Sequence, residues 1–318
     1  MIRPPALRPG ARVSLVAPAG PLPEGAVDRA VERIRDWGWE PVLGGFCRGR
    51  CGYLSGTDEE RAADLNAALR SPDNDAVWCL RGGYGTMRIL DRIDWGALSR
   101  RPRPLIGFSD NTALHLAAQR EGVVSFHGPH PATPELSGFS RAALLRVLTG
   151  GESAGLLPFP DGGPPRAETV VGGRAEGRLV GGNLALLAAL AGTPYALRGQ
   201  GAILFLEEVG EPSYRVDRML SQLLLSGALE GVAGIAVGAF SETPDADRED
   251  LPPAVEVIAD RLGGPGVPLA SGFPFGHVEE SWTLPLGVRA RLDADAGTLE
   301  LLESAVAAPE SRAERRAG

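Results

Sequence analysis

The chain is expected to be an α/β protein, with an N-terminal parallel-sheet domain followed by a C-terminal α/β domain that has a strand-rich end. Three observations predict this. Between residues 13 and 126, short apolar runs alternate with helix-patterned segments, as in a parallel sheet covered by helices on both faces. Residues 150–168, GGESAGLLPFPDGGPPRAE, are dense in Gly and Pro and make the best linker in the chain. The second half mixes apolar strands and amphipathic helices again and closes on three short strands. The expected bounds are a first domain over 1–150, a linker over 151–168, a second domain over 169–305 and a disordered tail over 306–318.

In order, Val13 to Ala17 reads as a buried strand and residues 23–37 as a helix with Val27, Ala30, Val31 and Ile34 inward. Pro41 to Leu43 is a second strand. Thr57, with Glu60 three residues on, forms a capping box before a helix to Leu69. Asp75 to Leu80 is a strand running into Arg81-Gly82-Gly83-Tyr84-Gly85. Leu105 to Phe108 is the strand before Ser109, and Asp110 to Gln119 is a helix. Val123 to Phe126 adds a strand, and 140–148 a helix. Beyond the linker, Gly181-Gly182-Asn183 precedes a helix from Leu184 to Leu190. Ala202 to Leu206 is a buried strand ending in Glu207-Glu208. A helix over 214–225, a strand over 232–239, a helix over 253–262 and the loop to His277 follow. The three closing strands run over 282–286, 288–292 and 298–302.

Composition narrows the function. The 318 residues are 43% hydrophobic with a net charge of −8, which argues against a nucleic-acid or membrane-surface binder. No apolar run approaches the ~20 residues of a membrane span, and the N-terminus lacks a signal-peptide core, so a cytoplasmic protein is expected. Three cysteines, Cys47, Cys51 and Cys79, provide no disulfide framework, and no metal site is expected from them or from His127 and His130. Lysine is absent altogether. That removes a Walker-type phosphate loop, Schiff-base catalysis and a Ser–Lys dyad. Any serine nucleophile would need a histidine base, and only His115, His127, His130 and His277 are available.

Ser109, in GFSDNTALH, sits at a strand-to-helix turn whose geometry suits an exposed nucleophile beside free helix N–H groups. The competing assignment is an N-cap, since Ser-Asp-Asn also suits a helix start. The RGGYG loop is either an oxyanion-binding loop or a plain tight turn. A carboxylate at the end of the AILFL strand is placed to orient another group, or is merely an exposed loop acid.

Six stretches closely resemble the LD-carboxypeptidase family of serine peptidases, which includes muramoyltetrapeptide carboxypeptidases and microcin C self-immunity peptidases. They are residues 53–65 (YLSGTDEERAADL), 78–85 (WCLRGGYG), 107–115 (GFSDNTALH), 181–195 (GGNLALLAALAGTPY), 203–220 (ILFLEEVGEPSYRVDRML) and 272–287 (GFPFGHVEESWTLPLG), in the family's order. The resemblance implies a smaller C-terminal domain, Ser109 as nucleophile, Glu207 as the triad acid and His277 as the base. It also implies an oxyanion hole from the backbone N–H of Gly83 and Asp110. Glu208 is the neighbouring acid that a one-residue shift would select instead.

The implied activity is cleavage of an L,D peptide bond, releasing terminal D-Ala from a murein tetrapeptide. No metal or organic cofactor is implied, and a homodimer is expected. Arg81 is a candidate for the substrate's terminal carboxylate, with a structural ion pair as the alternative. Glu208 is a candidate for an ammonium group of the substrate. Two other functions stay open: cleavage of a peptide–adenylate conjugate, and a non-catalytic α/β module that holds an anionic ligand.

Overall fold

A computed structural model describes residues 1–308 apart from 165, 249 and 265. The chain forms two units. One holds Met1–Glu152, Thr283–Pro285 and the described residues from Ser304; the other holds Ser153–Trp282 and Leu286–Glu303. Through residue 152 the elements are strands β1 (Arg12–Val16), β2 (Glu40–Leu43), β3 (Ala76–Cys79), β4 (Leu105–Gly107) and β5 (Ser125–His127), with helices α1 (Ala26–Asp36), α2 (Asp58–Arg70), α3 (Trp95–Arg100), α4 (Thr112–Arg120) and α5 (Gly138–Thr149). There follow β6 (Gly155–Leu156), β7 (Glu168–Val171), β8 (Arg174–Asn183), α6 (Leu184–Ala189), β9 (Ala202–Val209), α7 (Ser213–Leu225), β10 (Gly234–Ser241), α8 (Ala254–Leu262), β11 (Leu269–Ser271), β12 (Leu284–Leu286), β13 (Arg289–Asp293) and β14 (Thr298–Leu301).

The first unit's sheet runs β12-β5-β4-β3-β1-β2, with β2, β1, β3, β4 and β5 parallel. Strands β1, β3, β4 and β5 are buried on both faces, so they read as apolar runs rather than alternating ones, while the edge strand β2 is half-exposed. Val13, Leu15 and Val16 of β1, for example, are fully buried. The α2 capping box forms as read: Thr57 N donates to Glu60 Oε2 at 2.8 Å and Glu60 N to Thr57 Oγ1 at 3.2 Å. Such caps contribute about 1 kcal/mol.

The second unit's sheet runs β6-β14-β13-β8-β9-β10-β11-β7. Its centre, β8 to β11, is parallel, while β7 and the β13–β14–β6 side pair antiparallel. The sequence reading missed β8, because Gly177, Gly181 and Gly182 lower its strand propensity. The tertiary reason for one of them is explicit: a Cβ on Gly181 would stand 1.9 Å from the Phe205 carbonyl oxygen of β9.

Two stretches differ from a simple linear division. Gly155–Leu156, inside the Gly- and Pro-rich stretch, pairs with β14. The strand at Leu284–Leu286 belongs to the first unit's sheet, as the neighbour of β5. Of the expected tail, Val306 is buried and Ala307 N donates to Pro4 O at 2.8 Å; 309–318 lie outside the described residues. No described helix is long and apolar enough to cross a membrane.

Candidate active site

In the first unit, β3 and β4 are adjacent and parallel, so the loops that leave their carboxyl ends are neighbours. Ligands of open α/β sheets bind along that edge. β4 ends at Gly107, and Ser109 has φ 60°, in the left-handed region. For a residue with a Cβ this conformation costs about 1–2 kcal/mol. Ser109 to Asn111 then form a 3-10 turn that leads into α4. Ser109 is not a helix cap: the cap positions fall on Phe108 and Asn111, neither with a side-chain cap bond.

Several contacts hold this strained turn. Gly107 has no room for a side chain, since a Cβ there would lie 2.5 Å from Asn111 Oδ1. That Asn111 oxygen accepts from His130 Nε2 at 2.9 Å. His115, fully buried, places Nε2 2.8 Å from Gly107 O and Nδ1 3.0 Å from Ser125 Oγ. A carbonyl can only accept, so Nε2 carries the proton and Nδ1 accepts from the serine. Burial pulls the His115 pKa down from 6.5 to about 4, so the ring is neutral at pH 7. His127 and His130 pack against Phe108, with ring centroids 5.8 and 4.5 Å away.

The glycine loop lies directly against the serine. A Cβ on Gly82 would stand 2.9 Å from Ser109 Cβ, 3.1 Å from Ser109 Oγ and 3.3 Å from Asp110 N. Gly83 has φ 100°, a backbone region that favours glycine. The Gly82 carbonyl accepts from Gly20 N at 3.0 Å, which ties the loop to the turn after β1. Asp110 is buried. Its Oδ2 accepts from Thr86 N at 2.9 Å, and its backbone carbonyl accepts from Thr86 Oγ1 at 2.6 Å. Burial raises the Asp110 pKa, with the Thr86 hydrogen bonds opposing it. Arg81 is exposed, and its guanidinium donates to Pro21 O.

In the second unit, the two acids of β9 divide. Glu207, fully buried, holds His277 Nδ1 at 2.7 Å through Oε2. Gly276, at φ 105°, makes this approach possible, since a Cβ there would lie 2.7 Å from Glu207 Cβ. Ser241 Oγ donates to His277 O at 3.2 Å. Glu208 faces the other way, as alternate strand residues must. It accepts from Asn183 Nδ2 at 2.8 Å, Ala185 N at 2.7 Å and Val209 N at 2.9 Å. Burial raises its pKa while these donors oppose the rise. Glu208 thus anchors the start of α6. A cleft of about 990 Å³ in this unit is lined by residues including Ser213, Asp245, Ala254 and Ser271, but not by Glu207 or His277.

The sequence-predicted residues therefore form two clusters, one of Ser109, Asp110 and Gly83 and one of Glu207 and His277. Sequence reasoning assigned no separate role to Gly82, Thr86 or Gly276. Gly82 and Gly276 were visible as glycines beside candidate residues, but Thr86 carried no signal.

The family descriptions of the LD-carboxypeptidase N-terminal and C-terminal domains match residues 13–128 and 176–292. A putative carboxypeptidase of Streptomyces coelicolor is 46% identical over 317 residues, covering 97% of this chain and 99% of its own length. The murein tetrapeptide carboxypeptidase of Pseudomonas aeruginosa is 38% identical over 298 residues, covering 89% of this chain and 94% of its own. A solved structure of the microcin C7 self-immunity protein MccF, an inactive mutant without ligand, matches with TM-score 0.87 at 25% identity, covering 96% of this chain and all of that one. The same protein has been solved with aspartyl sulfamoyl adenosine. With both domain descriptions matched in order and relatives aligned over nearly the whole length, the chain belongs to the LD-carboxypeptidase family of serine-type hydrolases.

Proposed function

We propose that this enzyme releases terminal D-Ala from a murein tetrapeptide by hydrolysing an L,D peptide bond. The observation that carries the serine chemistry is Ser109 held at φ 60° against Gly82, a strain that a structural serine has no need of. Ser109 Oγ attacks the scissile carbonyl. His277, whose Nδ1 is engaged by Glu207, takes the serine proton on Nε2. The Gly83 and Asp110 N–H groups stabilise the oxyanion, worth ~3 kcal/mol per donor. The C–N bond breaks, the amine of D-Ala leaves with the proton from His277, and water hydrolyses the acyl-serine by the same base. Support for the substrate comes from the Pseudomonas relative named for that activity. The family resemblance also supports a homodimer. Arg81 is our candidate for the terminal carboxylate: it is exposed, and among the described residues Nη1 alone donates, to Pro21 O.

The test is release of free D-Ala from L-Ala-γ-D-Glu-meso-diaminopimelate-D-Ala by wild type, Ser109→Ala and His277→Ala. Release by wild type alone is expected. Equal release by Ser109→Ala would overturn the serine mechanism. The likeness to MccF supports a second reading, cleavage of a peptide–adenylate conjugate. Turnover of such a conjugate with no D-Ala release selects it.

A further inference from the structure

We propose that Arg61 is a positioning residue that sets the Gly82–Gly85 loop, and with it the Gly83 oxyanion donor. This rests on the reading of Ser109 as nucleophile. Arg61 lies on α2 and is 2% exposed, among the largest fully buried side chains of the described residues. Its guanidinium reaches three loops. Nη1 donates to Pro18 O after β1 and, at 2.8 Å, to Gly85 O after β3; Nε donates to Gly56 O at 3.3 Å before α2. Nη2 pairs with Asp58, an acid shared with Arg88.

Burying a cation among carbonyls is expensive, and an apolar side chain would pack the site without that desolvation. The geometry gives the cation a purpose. Gly85, at φ 134°, leaves the space that Arg61 fills, because a Cβ there would stand 2.9 Å from Nη1. The next residue, Thr86, is bound twice to Asp110, through the Asp110 carboxylate and the Asp110 carbonyl. Successive residues are thus tied, Gly85 to Arg61 and Thr86 to the nucleophile turn. Gly83 lies two residues upstream of this double tie, and Asp110 supplies the other proposed donor. Arg61 and the Thr86–Asp110 pair hold the two N–H groups in one register. The planar fork spreads its donors over Gly56 O from Nε, Pro18 O and Gly85 O from Nη1 and Asp58 from Nη2, a span that lysine's compact ammonium does not cover.

The experiment compares wild type, Arg61→Lys, Thr86→Val and the surface control Arg92→Gln, whose arginine pairs with exposed Glu59. Each is measured for thermal melting, for the rate of Ser109 phosphonylation by an alkyl fluorophosphonate, and for kcat and KM of D-Ala release. Arg61→Lys is expected to fold, to lose about 10²-fold in both phosphonylation rate and kcat, as for one misplaced donor, and to keep KM within about 3-fold. Arg92→Gln should match wild type. A folded Arg61→Lys that reacts and turns over like wild type overturns the proposal. So does a loss that only tracks the unfolded fraction. If Arg61→Lys does not fold, Thr86→Val decides, and wild-type kcat there overturns the proposal. A wild type that phosphonylates at Ser109 but releases no D-Ala refutes the substrate alone, and the phosphonylation rates then decide for Arg61. A wild type inert at Ser109 overturns both.

Discussion

Replacing Gly82 by alanine places a methyl group against Ser109, the proposed nucleophile. The new Cβ would stand 2.9 Å from Ser109 Cβ and 3.1 Å from Ser109 Oγ. Ordinary carbon contacts are about 3.5–4.0 Å, so one side must yield by roughly 0.6–1.1 Å. The serine is braced by His115 and by the Asp110–Thr86 bonds, so part of the shift falls on the glycine loop and its Gly83 N–H. A misplacement of about 1 Å costs about 10²-fold in rate, which is ~2.7 kcal/mol of barrier. Overpacking of this kind also costs about 1–3 kcal/mol of stability. The assay is D-Ala release, with kcat and KM determined separately and folding followed by thermal melting. The expected Gly82→Ala enzyme is folded, with kcat down about 10²-fold and KM little changed. A folded variant with wild-type kcat would refute the argument that Gly82 is glycine because Ser109 needs the space.

Four further outcomes follow from the same geometry. Ser109→Gly should abolish turnover yet raise stability by about 0.5–1 kcal/mol in denaturant unfolding, because glycine adopts φ 60° without strain; lower stability would contradict the strain. Glu208→Gln should lose about 1–3 kcal/mol of stability while kcat stays within about tenfold, since a carboxylate accepting three donors becomes an amide that cannot satisfy all three. Glu207→Gln should instead lower kcat by about 10⁴-fold, as when the acid that fixes a histidine tautomer is neutralised; the reverse pattern would exchange the two roles. His115, with its folded pKa lowered from 6.5 to about 4, contributes stability above pH 6.5 that is lost as pH falls towards 4, because the unfolded chain binds the proton first. Between pH 7 and pH 5, wild type should lose about 2 kcal/mol more than His115→Gln in urea unfolding, and parallel losses would place His115 outside the buried network.

The alternation of strands and helices was legible because the inner parallel strands are buried on both faces and read as apolar runs. The α2 start was legible because a capping box is a local device, made by Thr57 and Glu60 three residues apart. β8 was not legible, because its glycines answer to the backbone of β9 rather than to any local preference. The N-cap alternative for Ser109 could not be dismissed from composition, since Ser-Asp-Asn suits both roles and only the backbone angle separates them.

The amino-acid order alone placed Ser109 at a strand end, put the RGGYG loop on the same sheet edge and, by the absence of lysine, left histidine as the base for a serine nucleophile. These are matters of local pattern and residue chemistry. Only the tertiary structure decided which acid meets His277, because β9 turns Glu207 and Glu208 to opposite faces and Gly276 opens room on one of them. It also set His115 apart as a buried, neutral brace. It placed Gly82 against Ser109 and the Arg61 guanidinium among three loops far apart in the chain. Contacts of that kind depend on which backbones the fold brings together, and no short stretch of sequence contains both partners.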